Sequence, residues 1–311
     1  MEKQPLKVRV GVYLLVLLAV VILLGKLQVI GKLVKSQTFS FSFINSGLSE
    51  IVNSELADAQ GNYAVYVENL VSGEKYGFHE QDIFPAASLY KIYLVAAVVE
   101  LAEQGKISLT DNISTSLDHL VKRYGGVDFG YEDAPDEISY SVDEALRRVG
   151  RISDNFAALM LGDKIGWDKI QNMADRIGAQ NTSIKDPIST TAFDIGLYFK
   201  KLYQGEIISK EASQKIIDYI SLNQLNNRIP AGVPVGVKVV HKTGELPSVR
   251  NDAGIVFLRG RSLDGASPSA GTTSSDYIIV LLAKDVDFED DAVKLEADIS
   301  QKVYQYFLSR K

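Results

Sequence analysis

The order of apolar segments in this 311-residue chain restricts what it can fold into. Segments typical of β-strands occur twice near the start, at 62–68 and 75–79, and three times near the end, at 235–240, 253–258 and 277–283. Helical periodicity fills the region between them. The sequence therefore predicts an α+β fold, in which the terminal segments form one antiparallel sheet flanked by helices and the middle forms an inserted all-helical lobe.

The predicted helices begin just before the first strand, where apolar residues recur at helical spacing over 43–59. Those that follow lie at 89–104, 141–148, 155–165, 167–177, 191–203, 210–220 and 288–308. Two segments are predicted to be loops. The one at 123–137 is rich in glycine and acidic residues, and the one at 265–275 is rich in serine and glycine.

Composition excludes several kinds of function. A net charge of −6 without a basic stripe argues against nucleic acid as a partner, because little would attract its phosphates. The absence of cysteine rules out disulfides, thiolate nucleophiles and cysteine-ligated zinc. The three histidines, His79, His119 and His241, are too scattered to suggest a metal site. We therefore expect no metal and no organic cofactor, and the composition leaves the oligomeric state open.

An uncharged segment near the N-terminus predicts a membrane anchor. Residues 10–25 carry no charge, and basic residues flank them on both sides. This is slightly shorter than the roughly 17–25 residues of a spanning helix, but flanking lysines can extend to the membrane surface. A secretory signal peptide has a similar layout, yet no small-x-small cleavage pattern follows. We predict one uncleaved N-terminal transmembrane helix within an anchor and tether over 1–42, followed by a folded domain over 43–311.

Ser88 and Lys91 form the first of three motifs that indicate serine-based catalysis. They fit S-x-x-K at the start of the predicted helix over 89–104, where residues i and i+3 lie on one face. A partly desolvated lysine can remove the serine proton and make the hydroxyl a nucleophile. Alone, the pattern is more simply an N-cap serine followed by a surface lysine. Ser72 and Lys75 also match it, but they fall in a predicted hairpin turn.

Two further motifs follow in chain order. S-D-N at 153–155 precedes an apolar helix, where all three residue types also serve as N-caps. K-T-G at 242–244 follows His241 at the end of the strand predicted over 235–240. Its lysine and threonine can hold a carboxylate, and its glycine lets the backbone approach a bound substrate closely. An edge strand with a turn is the structural alternative.

Together the three motifs resemble the active-site elements of class A β-lactamases and penicillin-binding proteins. The resemblance covers about residues 43–310 and implies the serine β-lactamase/D,D-peptidase fold. In that family's chemistry Ser88 would be the nucleophile and Lys91 would accept its proton. Ser153 would then pass a proton to the leaving nitrogen. No metal or organic cofactor is implied.

The resemblance also implies which groups bind the substrate. Backbone N–H groups of Ser88 and Glu245 would form the oxyanion hole. Arg250 is a weaker candidate for a second carboxylate ligand, Arg228 is weaker still, and His241 is interpreted as a packing residue. The predicted substrate-binding residues are Asn155, Lys242, Thr243, Gly244 and, with less support, Arg250.

One element of the resembled family is missing. Class A enzymes carry a Glu-x-x-Leu-Asn loop between the second and third motifs, and its glutamate activates the water that removes the acyl group. No glutamate occurs between Asn155 and Gly205. Asp186 is a candidate substitute, but an aspartate before proline has an ordinary role in turns. We therefore expect intact acylation machinery and slow deacylation.

These observations predict a membrane-anchored serine hydrolase that acts on a β-lactam or a related amide outside the cytoplasmic membrane. A penicillin-binding D,D-peptidase acting on peptidoglycan stem peptides is one alternative, since it shares the motifs and lacks the glutamate. A non-catalytic cell-wall binding or sensor domain is another, although a binder has no need of a nucleophile beside its base. Basic residues flank the apolar segment on both sides, so their distribution does not determine the orientation of the anchor. Only the catalytic motifs indicate that the domain lies outside the cytoplasmic membrane.

The predicted anchor has a direct test. We expect the full chain to remain with the membrane fraction, because the segment over 10–25 has no cleavage pattern after it. A protease added outside the cytoplasmic membrane should degrade residues 43–311. Recovery of a soluble, N-terminally shortened protein from the medium would contradict the prediction.

Overall fold

The structure is a computed structural model that describes three stretches of the chain: 46–125, 136–258 and 276–310. They belong to one compact unit, Phe43–Lys311. The predicted anchor over 1–42 and the predicted loop over 265–275 lie outside the described residues, as does most of the predicted loop over 123–137. Within the described stretches, no helix combines the length and the apolar character needed to cross a membrane.

The strands form one large sheet and two small ladders. In chain order the strands are β1 Asn62–Asn69, β2 Lys75–Phe78, β3 Phe84–Pro85, β4 Asn112–Ser116, β5 Glu137–Ser141, β6 Ser189–Thr190, β7 Lys238–Leu246, β8 Val249–Phe257 and β9 Tyr277–Lys284. The large sheet has the order β2-β1-β9-β8-β7 and every pairing in it is antiparallel. The strand β7 therefore lies at one edge of the sheet, beside β8.

Helices cover both faces of this sheet. They are α1 Ser46–Leu56, α2 Lys91–Glu103, α3 Leu117–Tyr124, α4 Val142–Ile152, α5 Asn155–Ile165, α6 Trp167–Ile177, α7 Ala192–Gln204, α8 Lys210–Ile220 and α9 Glu289–Ser309. Side chains alternate across a strand, so Val65 and Val67 of β1 pack with α1 and α9, while Ala64 and Tyr66 face the helical lobe. The predicted α+β class is confirmed.

The helix α2 is the centre of the lobe. Ten of its residues are buried, from Lys91 to Leu101, so it has no solvated face. Just before it, the ring of Tyr90 lies 6.0 Å from that of Trp167 at the start of α6. The packing around α2 removes the side chain of Lys91 from water, and such burial favours the neutral form of its amine.

Two details correct the sequence prediction. The lobe is not all-helical, because β4 pairs with β5 and β3 pairs with β6 inside it. Each strand of the β4–β5 ladder buries one isoleucine, Ile113 or Ile138, and five residues are too few for a clear alternation. The K-T-G motif lies inside β7 rather than at its end, since pairing with β8 continues to Leu246.

The second S-x-x-K match has a structural role. Ser72 lies in the hairpin between β1 and β2, as predicted. The Oδ1 atom of Asn69 accepts hydrogen bonds from the backbone N–H groups of Val71 and Ser72, each at 2.9 Å. This turn is separated from the other two motifs, so only Ser88 remains as a candidate nucleophile of this pattern.

Candidate active site

The backbone presents Ser88 and Lys91 on the same side. Ser88 is in a 3₁₀-helix, Ala87–Tyr90, which continues directly into α2 at Lys91. Residues i and i+3 eclipse one another in a 3₁₀-helix. The N-cap position is occupied by Ala86, without a side-chain capping bond, so the Ser88 hydroxyl is not used as a cap. Ala87 has a φ of 46°, a left-handed conformation that costs about 1–3 kcal/mol and needs support from its surroundings.

Neighbouring segments supply this support. The buried side chain of Asn251 on β8 donates a hydrogen bond to the carbonyl of Pro85 at 3.0 Å. The N–H of Ala86 donates to the carbonyl of Ile188 at 3.1 Å. Gly244 of β7 packs so closely that a Cβ atom there would lie 2.9 Å from the carbonyl oxygen of Ala86. The third motif therefore lies directly against the backbone that precedes Ser88.

Lys91 joins the first motif to the second. Its Nζ atom donates to the carbonyl of Ser153 at 2.6 Å, to Oγ of Ser153 at 3.3 Å and to Oδ1 of Asn155 at 2.6 Å. Complete burial lowers the pKa of Lys91 well below its ordinary value, and the nearby charge of Lys242 lowers it further, against an opposing effect of Asp154. The neutral amine that a general base requires is thereby favoured.

Ser153 occupies the junction between α4 and α5 in a left-handed conformation, with φ at 56°. Asp154 caps α5 by accepting a hydrogen bond from the N–H of Ala157 at 3.0 Å, and it pairs with Nε of Arg148 at 2.7 Å. Asp154 is thus engaged in the structure of the junction. The Oγ atom of Ser153 also accepts a hydrogen bond from Nζ of Lys242 at 2.8 Å, so it lies between two lysines.

Lys242 and Thr243 can together hold an anion. The Nζ atom of Lys242 is buried and also donates to the carbonyl of Thr243 at 2.7 Å. Burial lowers the pKa of Lys242 to about 7, although Asp252 and Glu245 act to raise it. The Oγ1 atom of Thr243 is buried and has no hydrogen-bond partner in the described part of the chain. A carboxylate of a substrate would satisfy this hydroxyl.

Beneath β7, His241 belongs to a buried polar network. Its Nδ1 atom lies 2.8 Å from Oδ1 of Asp252, and its Nε2 atom lies 3.1 Å from Oδ1 of Asn226. The other oxygen of Asp252 accepts a hydrogen bond from the N–H of Ile229 at 3.1 Å. The interpretation of His241 as a packing residue agrees with these contacts. Sequence reasoning missed Asp252, which faces Thr243 across the β7–β8 pair.

The two candidate arginines are both engaged by glutamates. Arg228 is fully buried and its Nη2 atom donates to the carboxylate of Glu245. Arg250 pairs with Glu289 and also donates to the carbonyl of Leu246 at 2.9 Å. The role of Arg250 as a substrate ligand stays a prediction, and its described contacts hold it at the turn after β7.

Among the described residues between α6 and α7 and at the start of α7, no carboxylate contacts the site in place of the missing glutamate. Asp186 is exposed, in the segment between α6 and α7. The part of that segment that contacts the approach to Ser88 is the backbone around Ile188 and β6. Asp194, a buried carboxylate of α7, accepts hydrogen bonds from the N–H of Asn181 and the hydroxyl of Thr182, at 2.8 and 3.0 Å. The carboxylate of Asp194 is therefore engaged by hydrogen bonds within the lobe.

The histidines and acidic residues do not assemble into a metal site among the residues described. No group of three or more His, Cys, Asp or Glu side chains has a suitable arrangement there. His79 lies on the surface and pairs with Asp82 at 2.9 Å. The expectation of cofactor-free chemistry stays a prediction.

Comparison with known proteins identifies the family of the chain. The profile of the β-lactamase enzyme family matches residues 47–307, most of the chain. The chain belongs to this family. It is accordingly a serine hydrolase that acts on amide bonds, as the three motifs predicted.

Solved structures with a similar fold include penicillin-binding proteins and β-lactamases. PBP-A matches with a TM-score of 0.72 and 23% identity over 85% of this chain and 97% of PBP-A. A mutant of PBP-A in an acyl-enzyme complex with penicillin G matches with the same TM-score and 24% identity. The β-lactamase from Sphaerobacter thermophilus DSM 20745 gives 0.71 and 21% over 86% of this chain and 98% of that one. These identities show the fold alone.

A curated relative is the D-alanyl-D-alanine carboxypeptidase DacF of Bacillus subtilis. It is 27% identical over an alignment of 170 positions, which covers 50% of this chain and 42% of the carboxypeptidase. The similarity therefore spans less than half the length of that relative.

The close approach of β7 predicts the effect of Gly244→Ala. The added methyl group would meet the Ala86 carbonyl at 2.9 Å, so the backbone before Ser88 must move. We expect acylation of Ser88 by penicillin to slow by about 10²-fold, because misplacing a nucleophile by about 1 Å has an effect of that size. The control is Gly105→Ala, where no atom lies within 4 Å but φ is 66°. It should lower thermal stability through backbone strain and leave the acylation rate of the folded protein unchanged. A wild-type acylation rate in folded Gly244→Ala, checked by thermal melting, would refute the prediction.

The lowered pKa of Lys242 predicts how the rate of acylation by an anionic substrate depends on pH. With a pKa of about 7, its ammonium is present below that pH and is lost as the pH rises through it. The second-order rate constant should therefore fall about tenfold per pH unit well above pH 7. Lys242→Arg keeps its charge and should move this fall to higher pH. Lys238→Arg, at the start of the same strand, is the control, and an unchanged profile in Lys242→Arg would disprove the assignment.

Proposed function

We propose that this protein forms an acyl-enzyme through Ser88 with a β-lactam or a related amide, and that this intermediate is long-lived. The observation that carries the proposal is the position of Ser153 Oγ, 3.3 Å from Nζ of Lys91 and 2.8 Å from Nζ of Lys242. Through this one hydroxyl the three motifs share a path for the proton.

Acylation then follows from the contacts. The Oγ atom of Ser88 attacks the carbonyl carbon while its proton passes to Nζ of Lys91, whose lowered pKa favours the neutral amine. The negative charge on the carbonyl oxygen is stabilised by the backbone N–H groups of Ser88 and Glu245. As the C–N bond breaks, the Ser153 hydroxyl gives its proton to the leaving nitrogen and regains one from Lys91. The product is an ester on Ser88.

Deacylation lacks the usual base. Water must attack this ester, and a positioned general base typically accelerates such a step by about 10²–10⁴-fold. The segment between α6 and α7 contains no glutamate, and Asp186 is exposed. The acyl-enzyme is therefore expected to persist.

A D,D-peptidase acting on peptidoglycan stem peptides is a second candidate. Two observations favour it: the absence of the deacylating glutamate, and the partial similarity to a D-alanyl-D-alanine carboxypeptidase. The same acylation steps apply, with the terminal D-alanine as leaving group. Release of D-alanine from a peptide ending in D-alanyl-D-alanine, abolished in Ser88→Ala, would distinguish this activity from one confined to β-lactams.

The proposal includes an anchored location. The uncharged segment over 10–25 with its flanking basic residues supports a single N-terminal membrane helix, and the substrates considered occur outside the cytoplasmic membrane. The hydrolase domain would then act in the extracytoplasmic space.

The covalent step is tested by the mass of the intact protein after mixing with penicillin G. We expect the full mass of one penicillin to be added in the wild type and in Ser72→Ala, but not in Ser88→Ala. Ser72 is the matched control because it fits the same motif in the β1–β2 hairpin. Labelling that survives in Ser88→Ala would overturn the assignment of the nucleophile.

The slow deacylation is tested by following the adduct over time. Consumption of penicillin should show a burst equal to the enzyme concentration, as Ser88 is acylated, followed by a much slower steady phase. The steady phase is slow because the base that activates water for deacylation is missing. Asp186→Asn should leave both phases unchanged, as expected for an exposed turn residue. Rapid turnover without a burst would contradict the prediction, and loss of that turnover in Asp186→Asn would identify Asp186 as the base.

A further inference from the structure

Glu245, directly after K-T-G, carries a carboxylate beside the anion-binding part of the site. Its side chain is 46% exposed, and it accepts a hydrogen bond from the wholly buried Arg228. Side chains alternate along a strand, so Glu245 and Thr243 lie on the same face of β7. The carboxylate therefore neighbours the buried Thr243 hydroxyl, which has no partner among the described residues.

Arg228 has few other partners. In the described part of the chain, its Nε and Nη1 atoms form no hydrogen bond, although Nε lies 3.5 Å from a carboxylate oxygen of Glu296 on α9. Burial raises the pKa of Glu296 well above its ordinary value, against the opposing charge of Arg228. Burial would also raise the pKa of Glu245, but the hydrogen bond and charge of Arg228 outweigh it and hold this pKa below its ordinary value. Glu245 is thus the anionic partner of the guanidinium.

We propose that Glu245 determines substrate specificity by occupying Arg228 and so denying this guanidinium to a substrate carboxylate. The inference rests on the proposed function, since it concerns substrates that acylate Ser88. An anionic substrate keeps Lys242 and the Thr243 hydroxyl as ligands, and it meets the like charge of Glu245. The site should therefore prefer a free carboxylate less strongly than it would if Arg228 were available, and it should accept acyl donors whose carboxyl group at this end is esterified or amidated.

The test compares penicillin G with its methyl ester, which has the same acylating ring and no negative charge. The rate constant for forming the Ser88 adduct is measured for both probes by intact-protein mass at about pH 6. Below the pKa of about 7, Lys242 stays largely protonated. In Glu245→Gln, the ratio of the anionic to the neutral rate constant should rise about tenfold, because Arg228 gains a charge-assisted hydrogen bond to the substrate. In Glu245→Ala the ratio of the anionic to the neutral rate constant should also rise.

The matched control is Glu289→Gln, which removes the acidic partner of Arg250 at the turn after β7. It should leave the ratio unchanged. The inference is overturned if both probes change by the same factor in Glu245→Gln and Glu245→Ala, or if Glu289→Gln raises the ratio, which would make Arg250 the ligand. If neither probe labels Ser88 in the wild type, the proposed function fails and the inference fails with it.

Discussion

Two buried lysines that share one hydroxyl are the constraint on which the active site depends. Nζ of Lys91 and Nζ of Lys242 both donate to Oγ of Ser153, and neither forms an ion pair within the described residues. Holding two ammonium groups together in a dry interior is unfavourable. The arrangement favours loss of a proton from one lysine, so the packing itself creates a base beside a cation.

The rest of the fold serves to hold these groups together. The helix α2 is buried on all sides and removes Lys91 from water. The edge strand β7 brings Lys242, and Gly244 permits its close approach to the backbone before Ser88. Asn251, the cross-strand partner of Gly244 on β8, holds the same backbone by a hydrogen bond. The first contribution comes from the lobe and the other two from the β7–β8 hairpin of the sheet, so the site forms only when the lobe and the sheet are assembled.

Much of this arrangement could be predicted from the sequence because short-range rules govern it. The spacing of Ser88 and Lys91 follows from helical geometry, and the class of fold follows from the order of periodic segments. What escaped prediction depends on long-range contacts. The pairing of Arg228 with Glu245 and the position of Asp252 under Thr243 required the register of β7 and β8. One signal was available, since Arg250, Asn251 and Asp252 are three consecutive polar residues in a strand whose other residues are apolar or glycine.

The packing of Trp167 against Tyr90 has a practical consequence. Trp167 is the only tryptophan of the chain, its ring lies 6.0 Å from that of Tyr90, and its Nε1 donates to the hydroxyl of Tyr124. Tyr90 is the residue between Leu89 and Lys91, within two positions of the nucleophile. Because this single indole packs on a residue of the S-x-x-K motif, the intrinsic fluorescence of the native protein reports on the packing around that motif without any attached dye.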